Sequence, residues 1–173
     1  MHDRLLKLAL AEVGTAEVGG NNRGPRIREY QSATDLPPGA WPWCAAWTCW
    51  CIREWLKDPE VVEWLNLQYN TPDQWRPRTA LAFGLMPWAR SRPRTVQILS
   101  DTDIPKPGDI VVYDFSHCGI VINSGNRINF NAIEGNTNEK GARDSLTGDG
   151  VFIKTRRNTL VRCFLRIQPG KVN

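Results

Sequence analysis

The sequence contains few of the residues that mark a metal site or a membrane segment. It has two histidines, and its five cysteines include no Cys-x-x-Cys pair, which argues against structural zinc and against a disulfide framework. No apolar run approaches the about 20 residues that a membrane-spanning helix requires. The run at residues 5–11 is broken by Lys7 and lacks a small-residue cleavage site, so it does not resemble a signal peptide. We expect a protein made in the cytoplasm, without membrane insertion, metal or cofactor.

The charge balance is only mildly basic. The formal net charge is +4 and the isoelectric point is near 8.9. No basic stripe is interleaved with aromatic side chains, which argues against a nucleic-acid-binding groove. The 173 residues suit one domain with one hydrophobic core. We therefore expect a single domain over residues 1–173, acting as a monomer that binds no nucleic acid.

Helical patterns occupy the first part of the chain, residues 1–56. An apolar period of helical type covers residues 3–13, with Asp3 as the expected N-cap. A second helix is predicted over residues 25–32. A third is predicted from residue 43 or 44 to about residue 56, because Pro42 prevents a helix from passing through that point.

The remaining chain changes character twice. Residues 57–105 are rich in tryptophan and proline and are interpreted as an insertion, with short helices predicted at 60–67 and 79–83. Residues 106–168 then alternate in the manner of strands, at 110–115, 117–123, 127–133, 151–155 and 160–167. Helices followed by strands predict an α+β domain in which N-terminal helices pack on an antiparallel sheet of about five to six strands.

One cysteine lies where the third helix is predicted to begin. Cys44 follows Pro42 in the segment Trp43-Cys44-Ala45-Ala46-Trp47. A helix N-terminus favours the thiolate form of a cysteine, and its free N–H groups suit an oxyanion. A cysteine in such a helix is also commonly a small core residue, so its position alone leaves both interpretations open. The other four cysteines are interpreted as packing residues: Cys49, Cys51, Cys118 and Cys163.

Thiol chemistry of this kind requires an imidazole base, and only one of the two histidines is a credible candidate. His2 lies at the N-terminus, which we expect to be mobile. His117 begins a short apolar strand and is therefore the candidate base. Its ring needs a further carboxylate or carboxamide to fix the orientation and tautomer, although a histidine in a strand is also often a satisfied core group.

Hairpin geometry offers such a group. If Gly125 and Asn126 form a two-residue loop, His117 lies directly opposite Glu134, and Asn136 falls on the same face. A four-residue loop would keep this face, whereas a three-residue loop would move Glu134 to the other one. The apolar residues of this face are expected to pack under the helix that carries the candidate thiol.

The tryptophans near Cys44 form a further group. Those at positions 41, 43, 47, 50 and 55 are expected to build core and cleft wall. Trp41 and Trp43 are the two candidates for contact with a substrate.

Four blocks of sequence resemble a known family. They are Pro42-Trp43-Cys44-Ala45-Ala46-Trp47, Lys106-Pro107-Gly108-Asp109-Ile110-Val111, Ser116-His117-Cys118-Gly119-Ile120-Val121 and Ile133-Glu134-Gly135-Asn136-Thr137. In this order they resemble the CHAP family within the NlpC/P60 group of papain-like peptidoglycan hydrolases. The earlier segments Glu12-Val13-Gly14 and Gly20-Asn21-Asn22-Arg23-Gly24-Pro25 are similar to the phage and prophage members. The resemblance covers residues 10–137.

The resemblance implies cleavage of an amide bond in bacterial peptidoglycan. Cys44 would be the nucleophile, His117 the general base and Glu134 the group that orients the imidazole, with Asn136 assisting. A phage or prophage endolysin of this type would use a holin or a secretion machine to reach the cell wall. The alternatives are an antibacterial amidase toxin with the same chemistry, a catalytically silent wall-binding module, and an acyltransferase on the same scaffold.

Overall fold

The computed structural model describes residues 1–68, 71–126, 128–138 and 149–170. Within these ranges the first 90 residues carry the helices. The helices are α1 (His2–Ala11), α2 (Pro25–Gln31), α3 (Cys44–Trp55), α4 (Pro59–Trp64), α5 (Pro72–Trp75) and α6 (Leu85–Arg90), with 3₁₀ turns at Ala82–Gly84 and Asn158–Leu160.

One antiparallel sheet follows the helices along the chain. In the described residues it has six strands in the order β1-β6-β2-β3-β4-β5. The strands are β1 (Val96–Leu99), β2 (Ile110–Tyr113), β3 (His117–Asn123), β4 (Asn129–Thr137), β5 (Gly150–Arg157) and β6 (Val161–Ile167). The predicted α+β class, with N-terminal helices and an antiparallel sheet, is confirmed.

The structure adds one strand that was not predicted and differs from two local predictions. The segment interpreted as an insertion, residues 57–105, supplies the edge strand β1, in which Val96 pairs with Ile167. Four residues are too few to show an alternating pattern in a sequence. The helix predicted at 79–83 is replaced by the 3₁₀ turn and α6, and the N-cap of α1 is Met1 rather than Asp3.

Helix α3 packs against one face of the sheet through β3 and β4. It begins at Cys44 with Trp43 as its N-cap, and all its residues except Arg53 and Glu54 are buried. A close approach to β4 is possible because residue 135 is glycine. A Cβ atom at Gly135 would lie 2.8 Å from the Cβ of Trp47 and 2.9 Å from a ring carbon of Trp43.

The other face of the sheet has a core of its own because the sheet curls. The rings of Phe130 in β4 and Phe164 in β6 are 5.3 Å apart, although β2 and β3 lie between these strands. Three strand spacings in a flat sheet would measure about 14 Å. His117 and Glu134 lie on this second face of the sheet. The sequence predicts them on the first face, under α3, and that prediction is wrong. Successive strand residues alternate between the faces, so Cys118 is the residue that contacts the helices.

His2 is not at a free terminus. Its Nε2 atom lies 2.9 Å from the carbonyl oxygen of Ile167, and its ring packs on Trp55 and Trp64. The expected mobility of this end of the chain is therefore wrong. Among the residues that the structure describes, no helix has the length and apolar character needed to cross a membrane.

Candidate active site

The start of α3 and the start of β3 meet at a cavity of about 320 Å³. Cys44, His117, Asn136 and Trp41 line it together with apolar residues of the segment 80–82. Cys44 is 6% exposed and His117 is 3% exposed, so only small parts of both side chains reach the cavity. Three of the four proposed catalytic residues therefore share one cavity wall, and the fourth, Glu134, lies behind His117.

Glu134 is fully buried and has three partners. Its Oε2 atom lies 2.9 Å from Nε2 of His117, and its Oε1 atom accepts a hydrogen bond of 2.7 Å from the Tyr113 hydroxyl. The Arg156 guanidinium binds both oxygens, at 2.8 Å to Oε1 and 2.5 Å to Oε2. Burial raises the pKa of this carboxyl, but Arg156 and His117 outweigh burial and lower the pKa to about 2. The group is therefore a carboxylate near neutral pH.

The His117 ring has distinct neighbours at its two nitrogens. Because Nε2 faces Glu134, Nδ1 is the nitrogen left for the thiol. Burial lowers the pKa of His117, but the Cys44 thiolate and the Glu134 carboxylate outweigh it and raise the pKa to about 10. The Tyr113 and Phe115 rings stack on the imidazole, with centroids 5.9 and 5.8 Å away. His117 is therefore a fixed imidazolium near neutral pH.

The Cys44 sulfur lies among hydrogen-bond donors. The pKa of its thiol is well below the ordinary value because the Cys118 thiol donates to it, and the His117 charge and the Ala45 N–H group add to this effect against the cost of burial. No side chain caps the N-terminus of α3, so the N–H groups of its first turn are not occupied by a capping residue. A thiolate, an imidazolium and N–H groups that no side chain caps thus lie in one place.

The predicted hairpin register is wrong, although the contact it predicted is present. Strand β3 ends at Asn123 and β4 begins at Asn129, so the loop is longer than two residues. Ile120 pairs with Ile133, which places Glu134 across from Gly119 and diagonal to His117. A Cβ atom at Gly119 would lie 2.7 Å from Cγ of Glu134, so glycine is needed for this approach.

A bulge keeps Glu134 on the same face as His117. Val121 pairs with Ala132 and Asn123 pairs with Asn131, so β3 has one residue more than β4 over this interval. The pairing of Asn123 with Asn131, continued along β3, would place Glu134 on the face opposite to His117. The additional residue in β3 reverses that change.

Asn136 reaches the cavity by a second irregularity. Its φ angle is 56°, and the register between β4 and β5 shifts between Glu134 and Thr137. Its side chain is 2% exposed, and its Oδ1 atom has no hydrogen-bond partner within the described ranges. The bonds of the Glu134 carboxylate come from Tyr113, His117 and Arg156, so a contribution of Asn136 to orienting the imidazole remains a prediction.

The two tryptophan candidates differ. Trp41 is partly exposed and lines the cavity, and its Nε1 atom donates to the carbonyl of Pro37 at 3.0 Å. Trp43 is fully buried, stacks on Tyr30 and donates to Glu17 at 2.9 Å. The Trp43 ring therefore faces the core in this structure, and its contact with a substrate stays a prediction.

Sequence reasoning missed two residues of the site. Tyr113 is paired with His117 across β2 and β3, and Arg156 faces Phe130 across β4 and β5. The only available signal for Arg156 was a charged residue on the inward face of an alternating strand. Cys118 is predicted as a packing residue, and its Sγ atom lies 3.6 Å from Oγ1 of Thr48, on the helix that begins at Cys44. Within the described part of the chain, no three His, Cys, Asp or Glu side chains are grouped to hold a metal ion.

Comparison with known proteins supports the fold. No family model matches the chain, and no curated protein matches it. Among solved structures, the chain is similar to the crystal structure of the wild-type endolysin LysIME-EF1, with a TM-score of 0.53 and 18% sequence identity. The similarity covers 97% of this chain and 64% of that one, so the chain spans less than two thirds of that endolysin. At this identity the similarity establishes a shared fold.

Proposed function

We propose that this protein is a peptidoglycan hydrolase that cleaves an amide bond of the bacterial cell wall with Cys44 as its nucleophile. The observation that carries the proposal is the ordered set of Cys44, His117 and Glu134 at one cavity. The fold shared with a phage endolysin supports the same class of substrate. The four sequence blocks that resemble the CHAP family contain these three residues and Asn136.

The reaction follows from the positions of these groups. The Cys44 thiolate attacks the carbonyl carbon of the scissile amide, and N–H groups of the first turn of α3 stabilise the oxyanion. His117 gives its Nδ1 proton to the leaving amine, which leaves an acyl thioester on Cys44. A water molecule then loses a proton to His117 and attacks the thioester, releasing a carboxylic acid and restoring the thiolate–imidazolium pair.

Glu134 acts on the imidazole and not on the substrate. A carboxylate at Nε2 fixes the ring so that Nδ1 faces the thiol, and it stabilises the imidazolium charge. Arg156 and Tyr113 hold the carboxylate in turn. Trp41, at the cavity wall, is the proposed contact for the substrate.

A direct test is the variant Cys44→Ala on purified sacculi. We expect the release of new amino groups to fall by more than about a thousandfold, because the nucleophile is absent. Cys163→Ala is the matched control, since Cys163 is buried in β6 away from the cavity and its variant should retain activity. Clearing of sacculi by Cys44→Ala at the wild-type rate would exclude the cysteine mechanism.

The same assay separates the other interpretations. Binding to sacculi without release of amino groups by the wild-type protein would identify a silent wall-binding module. Product that carries an added amine in place of water would identify an acyltransferase. Mass spectrometry of the released fragments identifies the bond that is cut.

The biological setting is also a proposal. We propose synthesis in the host cytoplasm, action on the wall after release through a holin pore, and a monomeric state. A neighbouring immunity gene would instead favour a toxin delivered into competing bacteria, which would use the same chemistry.

A further inference from the structure

Two exposed leucines line the cavity that holds Cys44. Leu36 lies between α2 and α3, and Leu81 lies between α5 and α6. Leu36 is 47% exposed and Leu81 is 70% exposed. Single exposed apolar side chains are normal on a protein surface. These two, however, belong to the wall of the candidate active site.

The same local turn holds each leucine. The N–H group of Leu36 donates to Oγ1 of Thr34 at 3.3 Å, and the N–H group of Leu81 donates to Oγ1 of Thr79 at 3.0 Å. A threonine hydroxyl that binds the backbone two residues further on stabilises a turn. The second turn also requires glycine at position 84, because a Cβ atom at Gly84 would overlap Oγ1 of Thr79. Both leucines therefore have a fixed backbone although their side chains are exposed.

The two turns are also joined to each other. Nε of Arg78 donates to the Asp35 carboxylate at 2.6 Å, and the N–H group of Asp35 donates to the carbonyl oxygen of Arg78 at 3.0 Å. The buried guanidinium of Arg76 donates to the carbonyl oxygen of Ala33 at 2.6 Å. These bonds hold the segment with one leucine against the segment with the other, so the two side chains keep a fixed separation.

The cavity offers no partner to a further charged group. Among the described residues that line it, Cys44 and His117 are the ones charged near neutral pH, and their opposite charges pair with each other. Trp41 and Phe115 add aromatic surface to that of the leucines. A charged side chain of a substrate would lose hydration here without gaining a counter-charge, whereas an alkyl side chain would bury apolar surface.

We propose that Leu36 and Leu81 form an apolar subsite that binds an uncharged alkyl side chain beside the scissile amide bond. The inference rests on the proposed function of Cys44 and defines its substrate class more closely, as amide bonds that adjoin a neutral residue such as alanine. It also gives the segment 57–105, which supplies Leu81, a role in specificity. Neither leucine takes part in the chemical step.

Alkylation of Cys44 tests the subsite without a cell-wall substrate. Iodoacetamide and N-isobutyliodoacetamide react in the same way, since the thiolate displaces iodide from the same methylene carbon, but only the second reagent carries an alkyl group beside its amide. Peptide mass mapping gives the ratio of the two rate constants at Cys44, and glutathione gives the intrinsic ratio. Leu81→Ser removes the apolar surface and Leu81→Met retains it. Leu160→Ser is the matched control, because Leu160 is also exposed, at 38%, and does not line the cavity.

We expect wild-type Cys44 to prefer the isobutyl reagent by about fivefold relative to glutathione, because burial of a few alkyl carbons gives a factor of this size. Leu81→Ser should lose most of this preference, whereas Leu81→Met and Leu160→Ser should keep it. The rate with iodoacetamide itself should be the same in all four proteins, since the thiolate and its helix are unchanged. A preference in Leu81→Ser equal to that in Leu160→Ser would overturn the subsite.

Purified sacculi separate this inference from the proposed function. In Leu81→Ser, the amount of sacculi that gives half-maximal release of amino groups should rise by about fivefold, because a binding contact is lost. Mass spectrometry should find a neutral residue on at least one side of the cut bond. Cleavage between two residues with charged side chains would overturn the subsite and leave the cysteine mechanism intact. Failure of the wild-type protein to release amino groups, with the alkylation preference present, would instead overturn the proposed function and leave the subsite.

Discussion

The two sides of His117 are built in different ways. On one side, which we call the carboxylate side, Glu134, Tyr113 and Arg156 are all buried and joined by hydrogen bonds of 2.5–2.8 Å. On the other, the thiol side, Cys44 lies at the start of α3 and lines an open cavity. The first side fixes the orientation of the imidazole, whereas the second leaves the reacting atom accessible. The stability of the site should therefore depend on the carboxylate side and the reaction on the thiol side.

The largest loss of stability is expected for Arg156→Met, on the carboxylate side of His117. This change leaves the Glu134 carboxylate buried without its bidentate partner, and breaking such a pair costs about 3–5 kcal/mol of unfolding free energy. Urea unfolding monitored by tryptophan fluorescence measures the loss. Arg157→Met, one residue further on an exposed position, is the control and should change the free energy by no more than about 0.5 kcal/mol.

Cys44→Ala provides the other half of that comparison. It should abolish activity and change the unfolding free energy by no more than about 1 kcal/mol. If Cys44→Ala destabilised the protein as much as Arg156→Met does, the proposed division between the two sides of His117 would be wrong.

Acid should weaken the carboxylate side first. The pKa of Glu134 is about 2 in the folded protein against 4.5 in the unfolded chain, so the folded state binds fewer protons between these values. The stabilisation is fully present above pH 4.5 and is lost as the pH falls towards 2, a change on the order of 3 kcal/mol. Unfolding free energies at about pH 5 and about pH 3 should therefore fall more steeply in the wild type than in Glu134→Gln. Equal slopes would mean that the carboxylate is not held as described.

The smallest effect is expected for Tyr113→Phe. The change removes one hydrogen bond to a charged acceptor, worth about 1.5 kcal/mol, and keeps the ring stacked on His117. The activity should fall modestly because Glu134 loses one of its restraints. Tyr30→Phe is the matched control, since Tyr30 also donates to a glutamate, Glu12, but does not line the cavity. Tyr30→Phe should lower the stability without lowering the activity on sacculi. An equal loss of activity in the two variants would contradict the role of Tyr113.

Local patterns predicted some elements closely. Pro42 marks the start of α3, and the alternation in His117–Asn123 predicted β3 with the bounds that the structure gives. The contact of His117 with Glu134 was also predicted, but from a two-residue turn that is not present. The prediction placed Glu134 on the correct face of the sheet for a different reason. The loop is longer than expected and β3 has one additional residue, and the two changes together leave Glu134 on the face of His117.

Arg156 was not predictable from local pattern. It reaches Glu134 from β5, and the chain between these strands gives no periodic signal that fixes their pairing. The orientation of the Trp43 ring was not predictable for a related reason. Sequence position near a nucleophile does not tell whether an N-cap side chain faces a cavity or the core, and here the packing of Tyr30 decides it.

The sequence by itself determined the order of helices and strands, the start of the helix that carries Cys44 and the strand that carries His117. These depend on proline, on apolar period and on alternation, which act over a few residues. The tertiary structure alone decided which face of the sheet holds the carboxylate, and that Arg156 and Tyr113 bind it. Those outcomes depend on one additional residue in β3 and on the curl of the sheet, because each brings together side chains that are distant in the chain.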